Sequence, residues 1–204
     1  MSFYPTKTAV SIYLVLTGLA LFSYGCHVPS GFESSNPTTS SMTASNAGNN
    51  TEVPKTGQRI SYGAGDDGDL QAGKAWPNIR FTDHGDGTVT DRLTGLMWTI
   101  NADKANGTTD WEGALSKSDG CIDGGYTDWR LPNRNELASL IDLGRFNPAL
   151  PAGHPFTGVR PSYYWTSTTF ANNGDHAWLI HFFSGFITHD DKAGTHYVWF
   201  VRGG

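Results

Sequence analysis

Short runs of alternating apolar and polar residues dominate the last quarter of the chain and predict a series of β-strands. All are rich in aromatic and β-branched side chains, and they cover residues 163–169, 177–183, 186–189 and 197–202. An earlier group of short runs covers residues 79–82, 88–90 and 94–100. The turn sequence Asp86-Gly87 between the first two of these is a strong hairpin signal. We therefore expect antiparallel strands.

Two helix starts are marked by N-capping sequences. Thr109 stands three residues before Glu112, and Asn133 stands three residues before Glu136. Apolar residues recur at helical spacing behind the second pair. Two helices combined with antiparallel strands predict an α+β domain.

The start of the chain has a different pattern. Residues 9–22 form a largely apolar run without charge, preceded by Lys7 and followed by the small residue Gly25. This arrangement is typical of a secretory signal peptide, and the run is shorter than the roughly 20 residues of a membrane span. The pattern predicts export and a signal peptide over residues 1–25.

Cys26 ends the stretch Ser23-Tyr24-Gly25-Cys26, which resembles a bacterial lipobox. The resemblance implies that Cys26 is lipidated and becomes the mature N-terminus, although Ser23 and Tyr24 depart from the usual pattern. The alternative is an ordinary cleaved signal peptide with an incidental cysteine. We expect a lipoprotein of the bacterial cell envelope, attached to the outer membrane and exposed at the surface.

A polar segment follows, in which 13 of the 18 residues at 34–51 are Ser, Thr or Asn. Such a composition cannot bury enough apolar surface to offset the entropy of ordering the chain. We therefore expect a disordered tether over residues 26–55 and a folded domain over residues 56–204.

Composition excludes several classes of protein. Only 16% of the 204 residues are charged and 13% are aromatic, which is not the composition of a coiled coil or of a disordered chain. The net charge of −5 argues against nucleic acid as a partner. Two cysteines are too few for a disulfide framework or a four-thiolate zinc site.

Four segments occur in an order that resembles the Lcl C-terminal domain family, bacterial domains named for a Legionella collagen-like adhesin. They read TGQRISYGAGDDGDLQAGKAWPNIRFTDHGDGTVTDRLTGLMW, GGYTDWRLPNRNEL, SYYWTSTT and YVWFVRGG. The resemblance runs from about residue 54 to residue 204 and covers nearly all of the predicted domain.

The resemblance implies a C-type-lectin-like fold, with two helices on a twisted antiparallel sheet, related in architecture to the formylglycine-generating enzyme. The best-studied relative is a trimeric adhesin that binds sulfated glycosaminoglycans. The implied function is therefore adhesion or carbohydrate binding, although most relatives have no assigned ligand and function transfers less securely than fold.

The formylglycine-generating enzyme depends on two cysteines, whereas the predicted domain has only Cys121. Phe200 stands where many members of the resembled family carry a second cysteine. Without that pair, and without a hydrolase or phosphate-binding motif, we expect no enzyme activity and no resident cofactor. We expect Cys121 to be a half-buried apolar residue.

Three carboxylates in the predicted hairpin, Asp83, Asp86 and Asp91, form a candidate calcium site because calcium takes several oxygen ligands. The alternative is a tight turn held by local Asx hydrogen bonds. Asp66, Asp67 and Asp69 form a second acidic group of the same kind and are open to the same alternative.

Four histidines fall near the C-terminus: His176, His181, His189 and His196. His176 and His181 are five residues apart, so on one strand they face opposite sides and form a poor zinc site. We interpret all four as strand residues without a metal.

The candidate ligand-binding residues are aromatic and basic: Arg130, Arg134, Tyr163, Tyr164 and Trp178. The tyrosines and Trp178 are predicted surface contacts for a sugar. Arg130 is also predicted to anchor its loop through a carboxylate, either Asp128 or one on a neighbouring strand. Four other tryptophans are predicted core or loop anchors: Trp98, Trp129, Trp165 and Trp199.

Together these observations predict a lipid-anchored envelope protein with one non-enzymatic binding or adhesion domain. Its partners would be the membrane, through the N-terminal lipid, and a glycan or another surface protein. The main alternative is a structural module that assembles into a homo-oligomer and binds no small ligand. The weaker alternative is an enzyme on the formylglycine-enzyme scaffold.

Overall fold

The computed structural model describes residues 53–203. The predicted signal peptide, Cys26 and the tether up to residue 52 lie outside the described residues. Within residues 53–203, none of the helices is long and apolar enough to cross a membrane.

The described chain is an α+β domain, as the sequence predicts. Its helices are α1 (Asp67–Leu70), α2 (Trp111–Ser116) and α3 (Arg134–Ser139), with a 3-10 turn at Asp123–Gly125. Its strands are β1 (Phe81–Asp83), β2 (Thr88–Asp91), β3 (Met97–Thr99), β4 (Tyr163–Thr169), β5 (His176–His181), β6 (Phe186–Asp191) and β7 (Val201–Arg202).

The strands form two antiparallel sheets rather than the single sheet that the resemblance implies. One has the strand order β1-β2-β3-β7 and the other has the order β4-β5-β6. The C-terminal segment links them, because Tyr197 pairs with Tyr164 of the second sheet while Val201 pairs with Trp98 of the first. The predicted strand 197–202 therefore keeps regular pairing only at its last two residues.

The predicted hairpin is confirmed by antiparallel pairing of β1 with β2. Local hydrogen bonds shape its turn: the Asp83 carboxylate accepts from the Gly85 amide at 2.8 Å, and the Asp86 carboxylate accepts from the Thr88 amide at 3.0 Å. Gly85 and Gly87 both have positive φ, which a residue with a Cβ adopts only with strain.

The helix caps agree with the sequence in one case and shift by one residue in the other. At α3, the Asn133 side chain accepts from the Glu136 amide and the Glu136 side chain accepts from the Asn133 amide, so the predicted capping box is confirmed. At α2 the cap is Asp110 rather than Thr109. Helix α1 was not expected from the sequence.

The second sheet has a core cluster on each face, because neighbouring residues of a strand point to opposite sides. In β4, Tyr164 lies in one cluster and Trp165 in the other. In β5, Ile180 and Leu179 divide in the same way. The four tryptophans predicted as core residues are all buried: Trp98, Trp129, Trp165 and Trp199.

Candidate functional site

A cleft of about 1300 Å³ lies between the segment that precedes β1 and the loop that follows α3. Its walls carry aromatic and basic side chains: Arg59, Tyr62, Trp76, Arg80, Arg145 and Phe146. Tyr62 and Phe146 are 83% and 75% exposed, so both rings are free to contact a ligand. We define these six residues as the cleft residues.

Arg80 is buried beneath the cleft, and a network of hydrogen bonds holds its guanidinium in place. Its Nε and Nη2 donate to the two carboxylate oxygens of Asp91 at 3.1 and 3.0 Å, and Nη2 also donates to the carbonyl of Ser139. The guanidinium carbon lies 4.6 Å from the Trp76 ring and 4.9 Å from the Phe81 ring. Among the described residues, the buried Nη1 group has no hydrogen-bond partner, and the two rings beside the guanidinium stabilise its charge instead.

One wall of the cleft is held by contacts between segments distant in the chain. The Trp76 indole donates to the Lys55 carbonyl at 2.9 Å, and the Leu143 amide donates to the Thr56 carbonyl at 2.9 Å. Gly57 has a φ of +93°, and a Cβ there would meet the Asp142 carboxylate and the Trp76 ring. A glycine is therefore required where this segment crosses the loop after α3.

The structure does not bring Asp83, Asp86 and Asp91 together as a metal site. Within residues 53–203, no group of three or more His, Cys, Asp or Glu side chains is arranged to hold a metal ion. Asp91 is fully buried and engaged by Arg80, whereas Asp83 and Asp86 cap the hairpin turn. Hydrogen bonds from Thr88 lower the pKa of Asp86. The alternative of local Asx bonding therefore describes this hairpin.

Arg130 is a structural anchor, as predicted, but its partner is Glu136 rather than Asp128 or a strand carboxylate. Two parallel hydrogen bonds of 2.7 Å join the guanidinium to the Glu136 carboxylate, and a third reaches the Gly203 carbonyl. Burial raises the pKa of Glu136, but hydrogen bonds from Arg130 and Asn133 outweigh it and hold the pKa below its ordinary value. Asp128 pairs with Arg202 instead.

Tyr164 is not a surface contact. Its side chain is fully buried and its hydroxyl accepts from the Arg160 amide at 2.8 Å. Burial raises the pKa of the Tyr164 hydroxyl. Tyr163 is half-buried and stacks on His181 with 4.2 Å between ring centroids, so only part of its surface is accessible.

Arg134 and Trp178, both predicted ligand-binding residues, lie together. The Arg134 guanidinium carbon is 4.7 Å from the Trp178 ring, although the residues belong to α3 and β5. Phe170 packs edge-on against the same indole at 5.3 Å. These contacts use part of the surface that a sugar would need.

Two of the four histidines, His176 and His189, contact each other across neighbouring strands, which spacing along one strand does not reveal. The Nδ1 atoms of His176 and His189 are 3.1 Å apart, and Nε2 of His196 is 2.9 Å from the Asp190 carboxylate. His181, the partner that the sequence interpretation considered for His176, contacts Ser184 and Tyr163 instead.

Cys121 is a free, buried cysteine in the same core cluster as Phe200. Phe200, where many relatives carry a second cysteine according to the resemblance, therefore belongs to the same packed region as Cys121. Burial raises the pKa of the Cys121 thiol, which leaves less of the nucleophilic thiolate.

An apolar surface lies beside the cleft and includes the edge strand β6. Phe146 and Phe183 have ring centroids 6.3 Å apart, and Leu143 and Phe186 are 53% and 58% exposed. We define these four residues as the apolar patch. Leu143 and Phe146 of the patch also line the cleft.

Sequence reasoning missed most of the cleft. It assigned no role to Arg59, Tyr62, Trp76 or Arg145. The available signal was the occurrence of basic and aromatic residues ahead of the first strand, in a segment without a recognisable strand or helix pattern.

Comparison with known proteins gives one family. The Lcl C-terminal domain family matches residues 87–202, which begins at the hairpin turn and ends in β7. The search of curated proteins found no match. The cleft is formed partly by residues 57–81, ahead of the matched range, and partly by residues 142–153 within it. Because the match covers more than half of the chain, this protein belongs to the Lcl C-terminal domain family.

Proposed function

We propose that this protein is a non-enzymatic binding and adhesion module whose ligand is a glycan chain that lies in the cleft. The observation that carries the proposal is the size and lining of the cleft. A volume of about 1300 Å³ exceeds the roughly 300–1000 Å³ of typical small-molecule pockets. An open cleft of this volume with exposed aromatic rings suits an extended polymer.

The chemistry of the cleft residues favours a sugar. The aromatic faces of Tyr62, Trp76 and Phe146 offer stacking surfaces, and arginine side chains donate hydrogen bonds to sugar oxygens. Arg80 is balanced by Asp91, and Arg145 lies 3.6 Å from Asp142. Within residues 53–203, Arg59 therefore supplies the positive charge that no carboxylate of the cleft balances, and this charge would favour an acidic glycan.

The non-enzymatic part of the proposal rests on the roles of the reactive side chains. Cys121 is buried in the core, and the Arg130–Glu136 pair stabilises the start of α3. Asp91 neutralises Arg80. The surroundings of Cys121, Glu136 and Asp91 account for their positions as structural residues. None of these three side chains serves as a nucleophile in the cleft.

The proposal also covers the location of the protein in the cell envelope and the C-type-lectin-like fold of its domain. Export, lipidation at Cys26 and a surface-exposed position on the outer membrane would place the domain where an adhesin acts. A C-type-lectin-like arrangement is supported by short helices on antiparallel sheets with long loops, together with family membership.

The test is binding of the full chain, in mild detergent, to immobilised neutral and acidic glycans with and without calcium. We expect saturable binding that Tyr62→Ala weakens about threefold to tenfold through loss of ring stacking. Arg59→Gln should weaken the binding of acidic glycans more than that of neutral glycans, and it should make the binding of acidic glycans less dependent on salt. Phe186→Ala, an exposed aromatic outside the cleft, is the matched control. Binding that survives Tyr62→Ala and Arg59→Gln together would contradict the assignment to the cleft.

Homo-oligomeric assembly is the second candidate, and the apolar patch favours it. Phe146, Phe183, Phe186 and Leu143 expose apolar surface next to β6, the edge of its sheet. Exposed apolar surface and a free strand edge both favour association. Sedimentation of the full chain should show an oligomer that Phe186→Ser dissociates and Tyr62→Ala leaves intact. A monomer at all concentrations would remove this candidate.

A further inference from the structure

His176 and His189 lie at diagonal positions on two paired strands. In the ladder of β5 with β6, His176 stands opposite Asp191 and Trp178 stands opposite His189. Residues two apart on a strand share a face, so both imidazoles project from the same side of the sheet. Their Nδ1 atoms are 3.1 Å apart, and the ring planes are inclined at 64°.

The His189 ring is held in place by aromatic neighbours. It stacks on Phe170 with 3.9 Å between centroids and a plane angle of 8°, and it meets the Trp178 ring edge-on at 5.8 Å. His176 and His189 are both half-buried. A ring fixed in this way loses little conformational freedom when it binds a ligand, which is the condition for a preorganised donor.

Two Nδ1 atoms at this separation fit one edge of a metal coordination sphere. Bonds from imidazole nitrogen to zinc are about 2.0–2.1 Å, so a 3.1 Å edge corresponds to an N–metal–N angle of about 100°. That angle lies between square-planar and tetrahedral values. Imidazole is a ligand that zinc, copper and nickel accept, whereas calcium prefers oxygen.

The charges around the two rings are nearly balanced. Asp191 stands opposite His176 in the ladder and Asp175 immediately precedes His176, whereas Asp190 is on the other face and pairs with His196. The positive charges nearby are Arg134, above Trp178, and Lys192, whose amide donates to the Asp175 carbonyl. The two imidazoles themselves, rather than a surrounding negative charge, therefore provide the affinity for a cation.

We propose that His176 and His189 form a two-histidine site for a borderline divalent transition-metal ion, with Nδ1 of each ring as ligand. The remaining positions are filled by water or by a donor from a bound partner. In the metal-free protein one Nδ1–H donates to the other Nδ1. On metal binding the donor ring changes tautomer, its proton passing from Nδ1 to Nε2 through solvent, so the neutral pair releases no proton. The site is independent of the cleft.

The experiment is a Zn²⁺ titration of the full chain, purified without a histidine tag and carrying Cys26→Ser, followed by nitrogen NMR of the imidazoles. We expect the Nδ1 resonances of His176 and His189 to shift together and to saturate at one equivalent. Calorimetry should show binding at least about tenfold weaker in His176→Gln and in His189→Gln, since loss of a ligand costs no less than loss of a supporting group. His84→Gln, on the exposed hairpin, is the matched control.

Cu²⁺ gives a second readout that does not depend on any substitution at the histidines. Bound Cu²⁺ should quench the fluorescence of Trp178, and Trp178→Phe should remove that quenching while binding remains. Unshifted Nδ1 resonances at saturating Zn²⁺ would overturn the proposal. So would metal binding of unchanged affinity in both His176→Gln and His189→Gln.

Discussion

Arg80 and Asp91 form a buried, two-point ion pair that joins the start of β1 to the end of β2 and supports the floor of the cleft. The two hydrogen bonds measure 3.1 and 3.0 Å, and the side chains are 5% and 0% exposed. Asp91 also accepts from the Leu93 amide, so its carboxylate organises the turn that leads into β3.

Removing one partner should be costly, because the other charge would remain buried without compensation. Arg80→Met is expected to lower the free energy of unfolding by about 3–5 kcal/mol. Urea denaturation followed by tryptophan fluorescence measures the change. The control is Arg92→Met, since Arg92 is exposed and its side chain donates to Thr82 alone among the described residues, while its backbone bond to the Arg80 carbonyl is kept in the variant. Equal effects of the two substitutions would contradict a special role for the buried pair.

The Arg130–Glu136 pair should make the free energy of unfolding depend on pH in the acid range. The pKa of Glu136 in the folded protein lies below its ordinary value of 4.5. Its contribution is therefore complete above about pH 4.5 and is lost as the pH falls through the lower folded-state pKa. Glu136→Gln retains a capping-box residue and should remove this part of the acid dependence.

Because Arg130 is 41% exposed, we expect Glu136→Gln to cost less than about 1 kcal/mol at neutral pH. Unfolding free energies measured between pH 6 and the acid transition test this. The difference between wild type and variant should shrink as pH falls. A difference that stays constant, or grows, would contradict the assignment.

Gly57→Ala should destabilise the wall of the cleft. Both the positive φ and the approach of Asp142 and Trp76 oppose a Cβ at this position. Gly65 also has a positive φ, +82°, but a Cβ there would meet nothing within 4 Å. Gly65→Ala therefore reports backbone strain alone, about 1 kcal/mol. Thermal unfolding should show a larger loss of stability for Gly57→Ala than for Gly65→Ala. Equal losses would argue against a close approach of Asp142 and Trp76 to Gly57.

Cys121 should react slowly with thiol reagents in the folded protein. Its side chain is buried, and burial raises the pKa of the thiol, so the thiolate fraction and its accessibility are both low. In a Cys26→Ser background, alkylation should accelerate at least about tenfold on denaturation, as expected for a buried structural thiol. Equally rapid labelling before and after denaturation would mean that Cys121 is accessible.

The sequence by itself determined features whose stabilising contacts are local. The hairpin of β1 and β2 follows from turn residues beside alternating strands, and the α3 cap requires only Asn133 and Glu136. Strand β4 coincides with the predicted run, because aromatic and β-branched residues suit a strand buried on both faces. Family membership also followed from residue order.

Tertiary structure decided which distant residues meet. The β1–β2 register sets Phe81 opposite Asp91, and Arg80, the residue before β1, reaches the Asp91 carboxylate from the neighbouring position. The Glu136 carboxylate rather than Asp128 lies beside Arg130 because α3 begins there. His176 meets His189 because β5 pairs with β6 in one register, a fact that spacing along one strand cannot express. The cleft likewise combines segments before β1 and after α3. Strand register and packing between distant segments depend on the whole fold, so no local pattern encodes them.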